Sequence, residues 1–349
     1  MSGDLDFFRI RPIKLSETMG TVLPSSPRLQ EARLLAALLA GGTQHIARAD
    51  LSAASGIAAG DLPARLAPYL EAGYPIEFHP QGGIGLQPPP DVWCAEEILG
   101  RCPAQADLPA WDPLLLAETA STNDVAREQA RKGTPAGFVV AASRQTRGRG
   151  RLGRHWESPP DCGLYVSLLL RPGWAAADAG QLTILSSVAA SDAVEAVCGI
   201  RPQIKWPNDL MLHGRKLAGL LIEAEPHGAQ LAYAVVGIGI NVRHQAGDFS
   251  EEVRDLATSL YLATGHLYRR ADMLVALLHA LERRLRQPLA EARAAWAASS
   301  LTLGQQVTLT TIHGCKQGQA LGLNEAGALL LRTDSGEIEV VTAGDMRAI

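Results

Sequence analysis

Cysteine is scarce in this chain, and no two cysteines stand at the spacing of a metal or redox motif. The five cysteines are scattered along 349 residues, are odd in number and lack Cys-x-x-Cys or Cys-x-x-His spacing: Cys94, Cys102, Cys162, Cys198 and Cys315. A zinc site or a disulfide framework needs closely patterned cysteines. The sequence therefore argues against both and predicts a protein of a reducing, cytoplasmic compartment.

Long hydrophobic runs are absent as well. Charged residues, glycine or proline break every apolar segment well before the roughly 20 residues that a membrane span requires. The sequence opens on Met1-Ser2-Gly3-Asp4-Leu5-Asp6, without the basic start and apolar run of a secretory signal. We expect neither a membrane span nor a signal peptide.

A strong net charge is the third absence. The formal net charge is −4, which provides no global attraction to nucleic acid or to an anionic membrane. Hydrophobic residues make up 47% of the chain and charged residues 19%, a balance typical of a folded globular protein. The length predicts two or three domains.

The chain is predicted to begin with a tail at residues 1–26, to which we assign no function, and a small domain at residues 27–90. Leucine spacing and glycine stops indicate three helices, and two short apolar runs around a Gly-rich turn indicate a two-stranded wing. The segments are 29–39, 48–54, 62–73, 76–78 and 84–86. They give the outline of a winged helix-turn-helix domain, whose third helix would enter the major groove of DNA.

That third helix lacks the side chains that reading DNA requires. Between Leu51 and Gly73, Arg65 is the one basic residue, against Asp61 and Glu71, and two prolines interrupt the segment. The first 100 residues hold 7 Lys+Arg and 11 Asp+Glu. Since phosphate neutralisation supplies most of the affinity for DNA, the sequence disfavours DNA binding by this domain.

Three further regions follow. Residues 91–113 are rich in Pro and Ala and are predicted to be a linker. Residues 114–299 alternate short apolar strands with helices, and residues 300–349 change to short strands separated by glycines, which indicates a small β-barrel of SH3-like size. The fold class predicted is α+β.

A basic, glycine-rich stretch at residues 144–156 lies between two predicted strands. It carries five arginines and three glycines and no acidic residue. Arginine presents a fork of donors that matches carboxylate and phosphate oxygens, and glycine lets backbone N–H groups approach an anion closely. The composition fits a loop that closes over an anionic small molecule, but equally a solvated linker or a nucleic-acid-binding segment.

Other motifs downstream and upstream favour the small-molecule interpretation. Lys205-Trp206-Pro207-Asn208-Asp209 places a lysine at the end of a short strand, where its ammonium group needs an anion if it is buried. Arg215-Lys216-Leu217-Ala218-Gly219 adds two cations, and Gly237-Ile238-Gly239-Ile240-Asn241 ends a strand with glycines that allow a close approach. Ser121-Thr122-Asn123 offers compact polar groups, although it also suits a simple helix cap.

Taken in order, these motifs resemble the biotin protein ligases, specifically the longer form with an N-terminal winged-helix domain. The signature Gly-Arg-Gly-Arg-x-Gly-Arg-x-Trp stands intact as Gly148 to Trp156, and the Lys-Trp-Pro-Asn-Asp and Arg-Lys-x-x-Gly motifs are complete. The resemblance covers the chain from about residue 30 to its end. It implies a central mixed-sheet catalytic domain of the biotin/lipoate ligase type at 114–299 and an SH3-like barrel at 300–349.

The resemblance also implies an activity. Biotin and ATP would form biotinyl-5′-AMP, with Mg²⁺ on the phosphates, and the biotin would pass to one lysine of a biotin carboxyl carrier domain of acetyl-CoA carboxylase or a similar enzyme. No nucleophilic Ser or Cys is required, because the substrates supply both nucleophiles. The physics agrees, since a carboxylate must approach a polyanionic phosphate and fixed cations offset that repulsion.

The resemblance assigns roles to particular residues of this chain. Those implied to bind biotin are Ser121, Thr122, Asn123, Gln145, Arg149, Gly150, Arg151 and Lys205. Those implied to bind ATP or the adenylate are Gly148, Arg149, Arg154, Trp156, Asn208, Lys216 and Asn241. Lys205, Arg149 and Arg151 are implied to act on the reacting oxygens. No protein side chain is assigned as a metal ligand.

Several alternatives stay open at this stage. Lipoate or octanoate transfer suits the same type of core, but the intact Arg-Gly loop disfavours it. A biotin- or adenylate-responsive repressor that binds DNA, or a nucleic-acid-binding protein that uses the arginine segment, would belong to a different class. The sequence leaves open the oligomeric state, including a homodimer, and the identity of the carrier proteins.

Overall fold

The computed structural model describes residues 26–105, 107–311 and 314–348. The predicted tail lies outside the described residues except for Ser26. The described chain falls into two compact units: one runs to Pro103 and includes Arg269–Ala271, and the other takes Ala104–Tyr268 and the chain from Asp272 onward. Within the described residues, no helix combines the length and the apolar character needed to cross a membrane.

The first unit is a small helical domain with a short antiparallel sheet in the strand order β1-β3-β2. Ser26 caps the first helix by accepting from Leu29 N, and proline follows at the first helical position. Leucines from the three predicted helices pack in its core with aliphatic and tyrosine side chains of the same unit. The elements are α1 (Pro27–Ala40), β1 (Ile46–Ala47), α2 (Arg48–Ser55), α3 (Leu62–Glu71), β2 (Ile76–Phe78), β3 (Gly83–Leu86) and α4 (Ala95–Arg101).

Helix α4 lies inside the segment for which the sequence predicts a linker, residues 91–113. Its Ile98 and Leu99 are buried, and the helix packs against α1. The sequence did not predict this helix, because prolines flank it and its 7 residues are too few to show a clear helical period of apolar residues.

The second unit is built on a mixed sheet, as predicted. In the described part of the chain, its strands follow the order β4-β5-β6-β10-β9-β8-β7, with β4 and β5 parallel and the other neighbours antiparallel. Its strands are β4 (Asp112–Thr119), β5 (Phe138–Gln145), β6 (Gly163–Leu170), β7 (Gln203–Lys205), β8 (Asp209–Leu212), β9 (Arg215–His227) and β10 (Gln230–Asn241).

Two helices, α5 (Thr122–Arg131) and α6 (Ala179–Cys198), pack against this sheet. The longer of them, α6, is nearly uniform in Ala, Ser and aliphatic residues and is largely buried, as its lack of charge before Asp192 predicts. The helices are α5 (Thr122–Arg131), α6 (Ala179–Cys198), α7 (Leu260–Thr264), α8 (Arg270–Arg286) and α9 (Leu289–Ala298).

The chain closes with an antiparallel sheet in the strand order β14-β13-β12-β11-β15. Its strands are β11 (Gln306–Thr311), β12 (Gly314–Leu323), β13 (Leu329–Arg332), β14 (Ile338–Val341) and β15 (Asp345–Ala348). Alternate residues such as Val307 and Leu309 are fully buried, the period-2 pattern of a half-buried sheet.

Candidate functional site

A pocket that opens to solvent lies on the mixed sheet. It is lined by residues from all five motifs singled out in the sequence: Ser121, Thr122, Asn123, Gln145, Arg149, Gly150, Trp156, Asn208, Lys216, Gly237 and Gly239. Apolar side chains such as Val166, Leu220 and Ile238 complete the lining.

The parallel pairing of β4 and β5 brings the first two motifs together. Thr119 lies beside Gln145 in the register, so the start of α5 and the end of β5 meet at one edge of the sheet. Gln145 Oε1 accepts from Thr122 N at 2.9 Å and from Thr122 Oγ1 at 3.1 Å. Ser121 occupies the N-cap position of α5, but its side chain makes no capping bond. A simple helix cap therefore does not account for Ser121.

A buried serine that the sequence reasoning missed supports this polar end. The Ser167 hydroxyl lies 2.6 Å from Asn123 Oδ1 and 2.8 Å from Thr122 Oγ1, and Ser167 is completely buried. It stands on β6 in Gly163–Leu170, a strand otherwise almost entirely apolar. A hydroxyl in such a strand was the available signal, because a buried polar group needs a partner.

The arginine-glycine segment, Gly148 to Trp156, folds back on itself and is called the lid below. Trp156 N donates to Gly148 O at 3.0 Å, and Gly150 N donates to Arg154 O at 2.7 Å. A Cβ atom on Gly148 would lie 2.4 Å from Trp156 O, so only glycine allows the two ends of the lid to approach this closely.

The Trp156 ring lies against the glycines of β9 and β10. A Cβ atom on Gly239 would lie 2.5 Å from Trp156 Nε1, and one on Gly219 would lie 3.0 Å from the ring. Lys216 Nζ stands 5.4 Å from the ring centroid, within the range of a cation–π contact. Gly239, which the sequence marks as a place of close approach, and Gly219 both make room for the tryptophan.

Gly237 has a similar role at the polar end of the pocket. A Cβ atom there would lie 2.1 Å from Asn123 Oδ1. The glycine pattern of β10 thus accommodates two side chains of the pocket wall, Asn123 and Trp156.

Four cations of the predicted site each have an acceptor. Arg149 Nη2 lies 2.9 Å from Asp124 Oδ1 and 3.1 Å from Glu223 Oε2. Arg151 Nη1 donates to Asn208 Oδ1 at 3.3 Å, and burial lowers the pKa of Arg151.

The other two cations are held by carboxylates. Lys216 Nζ lies 2.7 Å from Asp209 Oδ1. Arg154 makes a two-pronged ion pair with Asp345 on β15, which raises the pKa of Arg154. The acidic partners of these cations were not among the residues predicted from the sequence.

Of the described residues predicted for the site, five lie outside the pocket lining: Gly148, Arg151, Arg154, Lys205 and Asn241. Lys205 ends β7 and stands opposite Asp209 in the register, next in sequence to the lining residue Asn208. Asn241 ends β10 with its amide donated to Thr258 O at 3.0 Å, a bond that ties two segments of the chain.

Among the described residues, no group of three or more His, Cys, Asp or Glu side chains could hold a metal ion. Magnesium is commonly held by one or two carboxylates together with substrate phosphates. Asp209 and Asn208 offer oxygen atoms beside the pocket, and this donor set fits an ion bound mainly through a nucleotide.

Two family models match the chain. The biotin/lipoate A/B protein ligase family matches residues 115–241, and the biotin protein ligase C terminal domain matches residues 302–346. The first match spans the pocket and its strands, and the second spans the C-terminal sheet.

Proteins similar in sequence or structure to this chain are named as ligases. The bifunctional ligase/repressor BirA of Bacillus spizizenii is 37% identical over 227 residues, which cover 64% of this chain and 70% of that protein. The biotin–[acetyl-CoA-carboxylase] ligase of Paracoccus denitrificans is 35% identical over 242 residues, 66% of this chain and 98% of that protein. The biotin protein ligase of Aquifex aeolicus in complex with biotin and ATP superposes with a TM-score of 0.58 at 32% identity, over 68% of this chain and 98% of that one.

Proposed function

The chain belongs to the biotin protein ligase family, and from that premise we propose that it joins biotin to a lysine of a biotin carboxyl carrier domain at the expense of ATP. In the first step a biotin carboxylate oxygen attacks the α-phosphorus, and pyrophosphate leaves. In the second step the lysine amine attacks the carbonyl of the mixed anhydride, AMP leaves, and an amide forms. The observation that carries this proposal is the pocket in which five separate motifs meet.

The polar end of the pocket is proposed to hold the head group of biotin. Ser121, Thr122, Asn123 and Gln145 supply hydroxyl and amide groups there, and they are buried or half-buried. The bonds between Thr122 and Gln145 and between Asn123 and Ser167 support this role, because preorganised polar groups lose little freedom when a ligand binds.

The cationic side of the pocket is proposed to hold the reacting groups. Arg149, Gly150 and Arg151 in the lid and Lys205 on β7 would bind the biotin carboxylate and the α-phosphate. Positive charge fixed at that point offsets the repulsion between the two anions and stabilises the charge that develops on the phosphorus oxygens.

The remaining residues are proposed to face the nucleotide. They are Gly148, Arg154, Trp156, Asn208, Lys216 and Asn241. Asn208, together with Asp209, would hold Mg²⁺, which supplies charge neutralisation on the phosphates when bound. The lid would keep water from the mixed anhydride, which hydrolyses if exposed.

The terminal domains have proposed identities of their own. We propose that residues 27–90 are a winged helix-turn-helix domain that supports the ligase core, and that residues 300–349 are an SH3-like barrel. Arg65 on α3 pairs with Glu31 at 2.9 Å, which leaves that helix without a free basic side chain among the described residues. A gel-shift at low salt with the chain's own promoter should therefore detect no specific complex, and specific binding would establish a repressor role like that in the name of the Bacillus relative.

Exchange of labelled pyrophosphate into ATP tests the first step alone. The purified chain with Mg-ATP should catalyse exchange that depends on biotin. Octanoate and lipoate in place of biotin are the control for the related transferase reaction. Exchange with octanoate or lipoate but not with biotin would assign the chain to that alternative instead.

A further inference from the structure

Four charged side chains meet beside the polar end of the pocket. Glu223 on β9 and Asp124 in the first turn of α5 form a carboxylate pair, and Arg127 and Arg149 lie against both of its members. Arg127 contacts Asp124 and lies 3.2 Å from Glu223 Oε1. Arg149 Nη2 lies 2.9 Å from Asp124 Oδ1 and 3.1 Å from Glu223 Oε2. The two carboxylates and the two guanidinium groups thus have no net formal charge together, and they connect the pocket wall to the lid.

Glu223 contacts the pocket wall through Asn123. Asn123 Nδ2 donates to Glu223 Oε2 at 2.8 Å. An ionised carboxylate only accepts hydrogen bonds, so it requires the NH₂ group of the Asn123 amide on its own side. The amide oxygen is then directed to Ser167, whose hydroxyl lies 2.6 Å away. Asn123 Nδ2 also donates to Leu221 O, at the longer distance of 3.4 Å. Glu223 is therefore the nearer of two acceptors that hold the NH₂ group of Asn123 on this side.

The same oxygen atom holds the lid. Oε2 of Glu223 accepts from Asn123 and also from Arg149 Nη2. If Glu223 lost its charge, Arg149 would keep Asp124 as an anionic partner, which it would share with Arg127. The attraction between the lid and the pocket wall would fall, although partial exposure of these side chains limits the loss.

We propose that Glu223 is a positioning residue, which orients the Asn123 amide and draws Arg149 of the lid over the same end of the pocket. The inference rests on the proposed function, because it takes that end of the pocket as the place where the biotin head group binds. Glu223 makes no bond to the reacting atoms. It acts through Asn123 and Arg149, so that the same carboxylate orients the pocket wall and holds the lid closed.

The test compares Glu223→Gln with Asp124→Asn. Glutamine keeps the size of the side chain but removes the charge and can also donate, so the Asn123 amide keeps only the longer bond to Leu221 O as a contact that requires its NH₂ group. Asp124 contacts Arg149 and Arg127 without a side-chain bond to Asn123 among the described residues, so its variant weakens the contacts to the lid and to Arg127 but leaves the bond between Glu223 and Asn123. Glu118→Gln is the matched control, since Glu118 pairs with Arg144 at 2.9 Å on the exposed surface before the lid.

Limited trypsin digestion of the ligand-free proteins measures the lid, with cleavage after Arg147, Arg149, Arg151 and Arg154 identified by fragment mass. Biotin-dependent pyrophosphate exchange measures KM and kcat. Glu223→Gln should speed lid cleavage and raise KM for biotin, each by roughly three- to tenfold, with kcat within about twofold of the wild-type value. Asp124→Asn should speed cleavage but leave KM for biotin within about twofold, and Glu118→Gln should change neither.

Unchanged lid cleavage and unchanged KM in Glu223→Gln would overturn the proposal, and so would a lower melting temperature as its sole effect. An equal rise of KM in Asp124→Asn would overturn the role in orienting Asn123. The digestion needs no ligand. A wild-type chain that fails to exchange pyrophosphate would therefore count against the proposed function, while the digestion still judges the contact between Glu223 and Arg149.

Discussion

At the scale of single residues, Lys205 is the sharpest test of the proposed chemistry. It ends β7 opposite Asp209. Its ammonium group is proposed to stabilise the negative charge that develops on the reacting oxygens. Lys205→Ala should slow adenylate formation by about 100-fold or more, the size expected when one preorganised donor is lost. Rapid-quench measurement of labelled biotinyl-AMP gives the rate.

A matched control for this variant is Lys132→Ala. Lys132 is exposed and pairs with Glu128 at the end of α5, so its removal should leave adenylate formation near the wild-type rate. A near-normal rate in Lys205→Ala would remove Lys205 from the reacting centre.

Residue by residue, the sequence predicts the cations of the pocket better than their partners. Arg149 and Lys216 belong to short motifs that can be read without knowing the fold. Asp124 and Glu223 lie 99 positions apart, and only the placement of α5 beside β9 brings them together around Arg149. Such long-range pairs leave no local pattern in a single sequence.

At the scale of elements, the shape of the lid depends on glycine. The composition of residues 144–156 predicts a loop that can close, but not that Trp156 N bonds back to Gly148 O. Gly148→Ala would place a Cβ atom 2.4 Å from Trp156 O and 2.8 Å from Ser158 Oγ. We expect this variant to open the lid, which should speed tryptic cleavage there and shorten the lifetime of bound adenylate.

Gly247→Ala is the control for that prediction. Gly247 lies in the short 3-10 turn Ala246–Asp248, and a Cβ atom there would have no neighbour within 4 Å among the described residues. Equal rates of lid cleavage in the Gly148 and Gly247 variants would show that the close approach does not hold the lid shut.

Other elements show where sequence patterns suffice and where they do not. The buried helix α6 was predictable because it runs 13 residues from Ala179 without charge, up to Asp192. Helix α4 was not, because it is short and lies between prolines. The order of the strands in the mixed sheet was likewise beyond reach, since pairing between distant strands is a property of the whole chain and not of any window along it.

At the scale of the whole molecule, a buried histidine makes stability depend on pH. His244 is completely buried and stacks on Phe249 with ring centroids 4.9 Å apart. Burial lowers its pKa to about 4, although Asp248 and Glu157 raise it in part. Above the ordinary pKa near 6.5, this residue is neutral in both the folded and the unfolded chain.

Below that value the unfolded chain takes up a proton that the folded chain refuses. The free energy of unfolding should therefore fall as the pH drops from about 6.5 to 4, by on the order of 3 kcal/mol from this group. Urea unfolding at pH 7 and at pH 4.5 measures the loss, and His244→Gln should show a smaller loss. The same pH dependence in both proteins would contradict the assignment to His244.

The central claim is that this chain transfers biotin to a carrier lysine. The most direct measurement incubates the purified full chain with radiolabelled biotin, Mg-ATP and an apo carrier domain, beside a carrier in which the acceptor lysine is replaced by arginine. The account predicts label on the wild-type carrier, dependent on ATP, and none on the arginine variant. No label on the wild-type carrier, under conditions in which an established biotin protein ligase labels it, would contradict the account.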